Sequence, residues 1–409
     1  MLLIIRVARS RFRHRWSCLA FGRDENGHDG GGLGASKGIY GLEHLALNWT
    51  WEDGLKSMWM NMGYWKNTTS FPQASENLLA HLLECAGIIG MDSQPKRSIN
   101  FLDLGFGCGD QTLYITNRLP PNIIVKSYIG ITLSKEQYDL AKKRVLERQC
   151  LMDILLGRSG SPEEVKTMPV QKLHPLETNC TKQKTNIRLY NTDASNPYVW
   201  PPSLHLALLP PPSPPTSPLS PRQVLQKLPP AIEHGSPAPG EVDIPDEHWT
   251  LALDSLYHFR PSRVPVLHYT HDMLQSNLLA FDLLRPSSSK ISPLRYLFLR
   301  VFCIVASVPY KNLLTKEEYI EMLVEKVGYH REDILIQDIS EFVFPGLFKY
   351  ISQRTKEMEK IGIRWKHWSG FKAVGWAVQA GLFRGGVVMA RWKAVGAVGG
   401  EYSQPRVSI

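Results

Sequence analysis

The stretch that decides the fold is Phe101-Leu102-Asp103-Leu104-Gly105-Phe106-Gly107-Cys108-Gly109-Asp110. The apolar run at 98–104 predicts a β-strand, and 110–117 predicts a helix directly after the three glycines. Glycine lets the backbone turn sharply and approach a ligand closely. The start of a helix offers N–H groups that have no partner within the helix. The segment therefore predicts a strand, a ligand-binding loop and a helix.

Strands and helices alternate on both sides of this loop. An amphipathic pattern at 69–87 predicts a helix before it, as part of a helical N-terminal cap that begins near residue 41. Alternation of strand and helix is typical of parallel βαβ units in an α/β fold. Thr315 and Glu318 have the spacing of a capping box. The further elements predicted are strands at 123–131, 187–193, 249–254, 332–339 and 386–392, and helices at 134–149, 272–284 and 315–327.

Composition divides the chain into one domain with two insertions. Of its 409 residues, 29 are prolines and 31 are glycines, and they are clustered. We expect a disordered basic leader and glycine-rich linker at 1–39, a domain at 40–393 and a tail at 394–409. Within the domain, 157–184 is polar and 201–246 is proline-rich, and we expect both insertions to be disordered.

Charge and cysteine spacing exclude several functions. The formal charge is +9, but residues 1–23 carry six arginines and no acid, so the rest is near +3 and predicts no nucleic acid partner. An arginine-rich, acid-free start is typical of a mitochondrial presequence, although it also fits a disordered leader. The cysteine pattern predicts no disulfide framework and indicates a reducing compartment. We expect a cytoplasmic protein, with a mitochondrial one as the alternative that the arginine-rich start supports. The 6 cysteines have no zinc-like spacing, so no metal site is predicted. No apolar run is long enough to predict a spanning helix.

The glycine loop is compatible with two classes of ligand. A dinucleotide site has the spacing G-x-G-x-x-G and an acid about 20 residues on. Here the third glycine comes one residue early, and Thr132 stands where that acid is expected. Asp103 and Asp110 would oppose a pyrophosphate but favour a cation. The residues thus favour S-adenosylmethionine, which has an ammonium and a sulfonium, and leave an NAD(P)-dependent oxidoreductase as the alternative.

The segment at 101–110 resembles motif I of class I S-adenosylmethionine-dependent methyltransferases. Four further pieces resemble the subgroup of cyclopropane fatty acid synthases and small-molecule methyltransferases: GYW within 62–65, GITLSKEQ at 130–137, TDA at 192–194 and LDSLYHF at 253–259. The resemblance implies a Rossmann-like seven-stranded sheet with six parallel strands and one antiparallel strand. It also implies methyl transfer from S-adenosylmethionine to a small molecule.

The resemblance carries specific roles onto this sequence. Asp103 would lie near the ammonium of the cofactor, and Gln137 would reach the ribose hydroxyls. The Asp193 carboxylate would accept from the adenine amino group, and Tyr64 and Trp65 would close over the cofactor from the N-terminal cap. The full cofactor-binding set that it implies is Tyr64, Trp65, Asp103, Gly105, Gly107, Gly109, Thr132, Leu133, Gln137, Asp193 and Ala194.

His258 is the candidate catalytic residue. A histidine at the carboxyl edge of the sheet can take a proton from a substrate hydroxyl or amine, but a structural histidine bonded to backbone fits equally well. Tyr257 stands where cyclopropane synthases have an acid, which argues against cyclopropanation. The segment at 284–288 resembles an altered form of the turn that usually precedes the fifth strand. That strand is then expected between 290 and 297, where the sequence shows no clear strand pattern.

The acceptor is expected to be hydrophobic or lipid-like. The run at 294–308 is apolar where this family commonly builds a substrate lid, and 354–393 is basic with interleaved tryptophans. A basic helix with tryptophans can lie on a membrane surface, but it can equally be an ordinary amphipathic helix on the sheet. The remaining alternative is a non-catalytic protein that binds S-adenosylmethionine or a membrane surface.

Overall fold

The computed structural model describes residues 46–50, 54–90, 95–155, 185–209, 246–287, 296–300, 303, 308–360 and 381–393. The expected leader, the polar insertion and the tail lie outside these residues, as do most of the proline-rich insertion and the part of 354–393 from 361 to 380. In chain order the helices and strands are α1 Phe71–Cys85, β1 Arg97–Leu104, α2 Asp110–Asn117, β2 Ile123–Thr132, α3 Lys135–Leu155, β3 Asn186–Asn191, α4 Pro202–Leu208, β4 Asp246–Leu253, α5 Val264–Asp272, β5 Asn277–Leu284, α6 Lys316–Met322, β6 Ile334–Asp338, α7 Ser340–Lys360 and β7 Arg384–Ala390.

The seven strands form one sheet in the order β3-β2-β1-β4-β5-β7-β6. The neighbours from β3 to β5 are parallel, and β7 runs antiparallel to both β5 and β6. The predicted Rossmann-like sheet with six parallel strands and one antiparallel strand is therefore confirmed. The strand order reverses between β1 and β4, and this is the place where open α/β sheets bind ligands.

An apolar cluster covers each face of the sheet. On one face, α1 and α7 pack against residues such as Phe101, Tyr128 and Phe281. On the other face, α5 and α6 pack against residues such as Leu104 and Ile131. Parallel strands covered on both faces read as nearly continuous apolar runs. Among the helices that the structure describes, none is both long enough and apolar enough to span a bilayer.

The prediction of one helix at 272–284 is wrong. The chain ends α5 at Asp272 and then forms β5 from Asn277 to Leu284, in the middle of the sheet. Seven of the eight residues of β5 are buried, and a short continuous apolar run does not distinguish a buried strand from a buried helix. The fifth strand thus precedes the segment at 284–288, so the expectation that it lies within 290–297 is also wrong.

Two other local predictions are corrected. The segment 54–65 is not helical, since Gly54 has φ +70° and a bridge joins Thr50 to Gly54. The start of the proline-rich insertion forms the short helix α4, with Pro202 in its first turn, where proline needs no N–H partner. The remainder of that insertion, 210–245, lies outside the described residues.

Candidate functional site

A cleft of about 390 Å³ opens at the carboxyl edge of the sheet. The turns that follow β1, β2 and β4 form its floor, and the segment 58–62 forms a wall against them. The carboxyl ends of parallel strands meet at one edge, which brings together residues that are distant in the sequence. The volume lies within the range of small-molecule and cofactor sites.

The glycine loop forms part of the cleft floor. Gly105 has φ +122° and Gly107 has φ +60°, both in the region that favours glycine. A Cβ atom on Gly105 would lie 3.0 Å from the Cβ atom of Ser255, whereas one on Gly107 would point to the cleft, with the Met60 sulfur nearest at 3.8 Å. Gly109 lies below the loop as the residue before α2 and does not line the cleft. The loop thus presents bare backbone to a ligand.

Asp103 is fully buried and does not line the cleft. Its Oδ2 atom accepts hydrogen bonds from the Tyr128 hydroxyl and from the Gln111 amide. Its Oδ1 atom has no hydrogen-bond partner within the described part of the chain. Burial raises the pKa of Asp103 to about 7, against the lowering effect of these two donors. Gln111 itself lines the cleft, so Asp103 is placed to orient a residue that faces the ligand.

Asp110 lines the cleft but is neutralised by Arg144. The guanidinium binds both carboxylate oxygens, at 2.6 and 2.9 Å. The Met58 backbone N–H donates to the same carboxylate at 3.1 Å and ties the segment 58–62 to the glycine loop. Asp110 is also the first residue of α2 and places negative charge at the helix start. A ligand phosphate is therefore less favoured at this helix start than it would be without the carboxylate.

Five expected adenosine contacts lie together at one end of the cleft. Thr132, Leu133 and Gln137 follow β2, and Asp193 and Ala194 follow β3, and all five line the cleft. The Thr132 hydroxyl donates to the Gln137 amide oxygen at 3.1 Å, and one Asp193 oxygen accepts from the backbone of a nearby serine at 2.8 Å. The side chain of Leu133 is 59% exposed. This end offers amide and carboxylate groups that suit a nucleoside.

Tyr64 and Trp65 do not line the cleft. The Tyr64 ring stacks on His81 with centroids 4.5 Å apart. Trp65 is buried, its ring packs near Phe71 and Tyr350, and its indole N–H donates to a backbone oxygen of the segment 58–62 at 2.9 Å. These two residues therefore support the wall from behind.

The methionines of the preceding segment form the wall itself. Met58, Met60 and Met62 line the cleft, and Asn48 holds the segment by bonding the backbone of Trp59 on both sides, at 2.7 and 2.9 Å. Sequence reasoning missed these methionines. The signal that could have found them is the run MWMNM immediately before GYW. Methionine is flexible and polarisable, so this wall suits an apolar ligand of irregular shape.

The turn after β4 forms the other side of the cleft. Asp254 has φ +66°, and its carboxylate accepts from the Tyr257 hydroxyl at 2.8 Å. His258 lines the cleft, and the centroid of its ring lies 4.2 Å from that of the Tyr257 ring. The Asn312 amide donates to the backbone oxygens of Tyr257 and Phe259, at 3.2 and 2.6 Å, and fixes the turn. Sequence reasoning named His258 and missed Asp254.

Within the ranges that the structure describes, no group of three or more histidine, cysteine or acidic side chains comes together as metal ligands would.

No family model and no curated protein matches the chain. Several solved structures are similar to the chain in fold. A mycolic acid cyclopropane synthase, CmaA1, complexed with SAH and CTAB, is 11% identical with a TM-score of 0.48, over 86% of this chain and 94% of that one. A putative sarcosine dimethylglycine methyltransferase from Galdieria sulphuraria is 11% identical with a TM-score of 0.46, over 82% and 94%.

A geranyl diphosphate C-methyltransferase from Streptomyces coelicolor A3(2), in complex with Mg²⁺, geranyl diphosphate and S-adenosyl-L-homocysteine, is 11% identical with a TM-score of 0.42, over 79% of this chain and 81% of that one. The strand order described above establishes the fold without these structures. The three are two methyltransferases and a cyclopropane synthase, and their likeness to this chain is one of fold.

Proposed function

We propose that the chain is an S-adenosylmethionine-dependent methyltransferase that acts on a small, hydrophobic acceptor. The observation that carries this proposal is the cleft itself: a floor of bare glycine backbone, flanked by carboxylates. Gly105 and Gly107 lie beside Asp193 and Asp254 in one cavity. Such a site favours a cationic nucleoside over an anionic dinucleotide.

The two ends of the cleft would hold different parts of the cofactor. Asp193, Ala194 and Gln137 would contact the adenosine, and the glycine loop would run under the amino-acid end. When bound, S-adenosylmethionine supplies a methyl group on a positively charged sulfur. The protein's own contribution would be placement, because an acceptor held in line with the reacting bond gains most of the attainable rate.

The acceptor side of the cleft combines apolar walls with few polar groups. Trp59, Phe71 and Leu347 line the cleft together with the methionines of the segment 58–62, and we assign this apolar lining to the acceptor. This lining supports a hydrophobic or lipid-like acceptor, whose methylated atom is oxygen, nitrogen or carbon. His258 is proposed as the base that takes the acceptor's proton, since its ring reaches the cleft beside Tyr257.

The binding test compares two glycines of similar conformation. Gly107 has φ +60° and faces the cleft, and Gly87 has φ +62° and lies outside it. Valine at either position is strained by about the same amount. We expect calorimetry to show S-adenosylmethionine binding by the wild type and by Gly87→Val, and at least a tenfold weaker affinity for Gly107→Val, because valine fills the space over the loop.

Two outcomes would overturn the proposal. If the wild type bound NAD(P) and not S-adenosylmethionine, the oxidoreductase alternative would replace it. If the protein bound S-adenosylmethionine but transferred no label from methyl-labelled cofactor to a lipid and small-metabolite extract, the non-catalytic alternative would replace it. Mass spectrometry of the labelled product identifies the acceptor.

A further inference from the structure

Asp254 is a carboxylate in the cleft to which the proposed function assigns no specific contact with the ligand. It follows β4 directly, at the point where the strand order reverses, and it lines the cavity. The Tyr257 hydroxyl donates to one of its oxygens at 2.8 Å, and the backbone N–H of Met62 also donates to its carboxylate. Two donors from two different segments therefore hold the carboxylate in one position.

The other carboxylates of this region are accounted for. Asp110 is bound on both oxygens by Arg144. Asp103 is fully buried and is not part of the cavity lining. Asp193 follows β3 and lies at the nucleoside end. Of the carboxylates described in the lining, Asp254 is the one placed to meet a cation at the other end.

Asp254 lies directly beside the glycine loop. The hydroxyl of the next residue, Ser255, donates to the backbone oxygen of Leu104 at 2.6 Å. The Ser255 Cβ atom would be 3.0 Å from a Cβ atom on Gly105. The carboxylate is thus adjacent to the part of the loop that is proposed to run under the amino-acid end of the cofactor.

We propose that Asp254 binds the ammonium group at the amino-acid end of S-adenosylmethionine, with Tyr257 as its positioning residue. This inference rests on the proposed function and replaces Asp103 in the role that sequence resemblance implied for it. The ammonium would have a direct, charge-assisted contact in a site partly withdrawn from water, where such hydrogen bonds are strong.

The energetics of the free protein support this role. Burial raises the pKa of Asp254 to about 7, the hydrogen bond from Tyr257 opposes the rise, and the nearby charge of Asp282 adds to it. An ionised Asp254 is therefore costly in the free protein, and a bound ammonium would offset that cost. Asp282 itself is bound by Arg263 and is not part of the cavity lining.

The test uses two neutral thioethers that differ in the amino-acid end. S-adenosylhomocysteine has that end, and 5′-methylthioadenosine lacks it. We expect Asp254→Asn to weaken S-adenosylhomocysteine about tenfold to a hundredfold, the range for a lost hydrogen bond to a charged group. The affinity for 5′-methylthioadenosine is expected to stay unchanged. Asparagine has the shape of aspartate, and a thermal unfolding scan checks that the variant folds.

Two further variants sharpen the result. Asp193→Asn, at the nucleoside end, is expected to weaken both ligands equally. Tyr257→Phe is expected to weaken S-adenosylhomocysteine about threefold and leave 5′-methylthioadenosine unchanged, since a lost hydrogen bond is worth about that much. A purely structural role for Tyr257 would weaken both ligands.

The outcomes separate this inference from the proposed function. If the wild type bound neither ligand, both would fall. If the wild type bound both ligands, and Asp254→Asn weakened them equally or weakened neither, the ammonium assignment alone would fall.

Discussion

Asp103 shows at the scale of one residue how a buried carboxyl group links stability to pH. Its folded pKa is raised to about 7 by burial, whereas an unfolded aspartate titrates near 4. The stability that the neutral carboxyl contributes is fully present below about pH 4 and is lost as the pH rises through about 7. At about 1.4 kcal/mol per pKa unit, the total is at most roughly 4 kcal/mol.

Replacement by asparagine should remove this dependence. We expect the stability of Asp103→Asn relative to wild type to improve by about 1–4 kcal/mol between about pH 5 and pH 8, because only the wild type must ionise a buried group. Urea denaturation at several pH values measures it. Asp246→Asn is the matched control. Burial alone would raise the pKa of Asp246, but hydrogen bonds led by that from Lys126 outweigh it and lower the pKa overall. The stability of Asp246→Asn relative to wild type should therefore stay constant between about pH 5 and pH 8.

The glycine loop could be predicted from sequence because its signal is local. Gly105 and Gly107 follow one another closely, and their conformations depend on few other residues. The partners of the carboxylates could not be predicted. Asp103 meets Tyr128 from 25 positions away, and Asp110 meets Arg144 from 34 positions away. These pairs depend on how β2 and α3 pack against the loop, and periodicity does not contain that information.

At the scale of an element, α6 begins with a complete capping box. The Thr315 hydroxyl accepts from the Glu318 N–H at 3.2 Å, and the Glu318 carboxylate accepts from the Thr315 N–H at 2.9 Å. Arg285, which follows β5, donates to the same carboxylate and joins the helix start to the sheet. The cap thus fixes both the start of the helix and its position.

Loss of this cap should lower the stability of the protein by the amount typical of a helix N-cap. We expect Thr315→Ala to lower the free energy of unfolding by about 1 kcal/mol, the usual value for an N-cap threonine. Glu317→Ala is the control, because Glu317 is exposed in the same first turn and has no part in the box; it should change stability by less than about 0.5 kcal/mol. Chemical denaturation compares them. Equal losses for both variants would contradict a role for the cap.

Elements with a local start signal were predicted well, and elements defined by burial were not. The capping pattern of Thr315 and Glu318 gave the correct start of α6. Strand β5 was mistaken for a helix, because a strand buried on both faces lacks the alternation of a half-exposed one. What makes it a strand is its position between β4 and β7, and that is decided by the rest of the sheet.

At the scale of the whole molecule, the cleft wall depends on α7, a helix that is distant in the sequence and contributes Leu347 to the cleft. Gly346 in α7 lies directly against Trp65, and a Cβ atom there would be 2.2 Å from the Trp65 Cβ atom. The backbone N–H of Trp65 donates to the backbone oxygen of Phe342 in the same helix at 2.6 Å. The indole N–H of Trp65 in turn donates to the backbone oxygen of Met62 in the cleft wall. A change in α7 should therefore reach the cleft.

Gly346→Ala tests this coupling, because the sign of its effect on stability depends on the contact with Trp65. In an exposed helix this change would stabilise by up to about 1 kcal/mol. Against Trp65 we expect a loss of about 1–3 kcal/mol, as for an overpacked core. We also expect weaker S-adenosylmethionine binding, although Gly346 does not line the cleft. Lys349→Ala, an exposed position of α7, is the control and should alter neither quantity. A stabilised Gly346→Ala with unchanged affinity would show that the wall is independent of α7.

The position of β7 has a consequence for how the molecule is made. β6 precedes β7 in the chain, yet its only partner in the sheet is β7, which enters between β6 and β5. During synthesis, one edge of the buried strand β5 stays unpaired until the residues near Arg384 have been added. An open apolar edge recruits other chains. A product interrupted before β7 would therefore expose this apolar edge and be prone to aggregation.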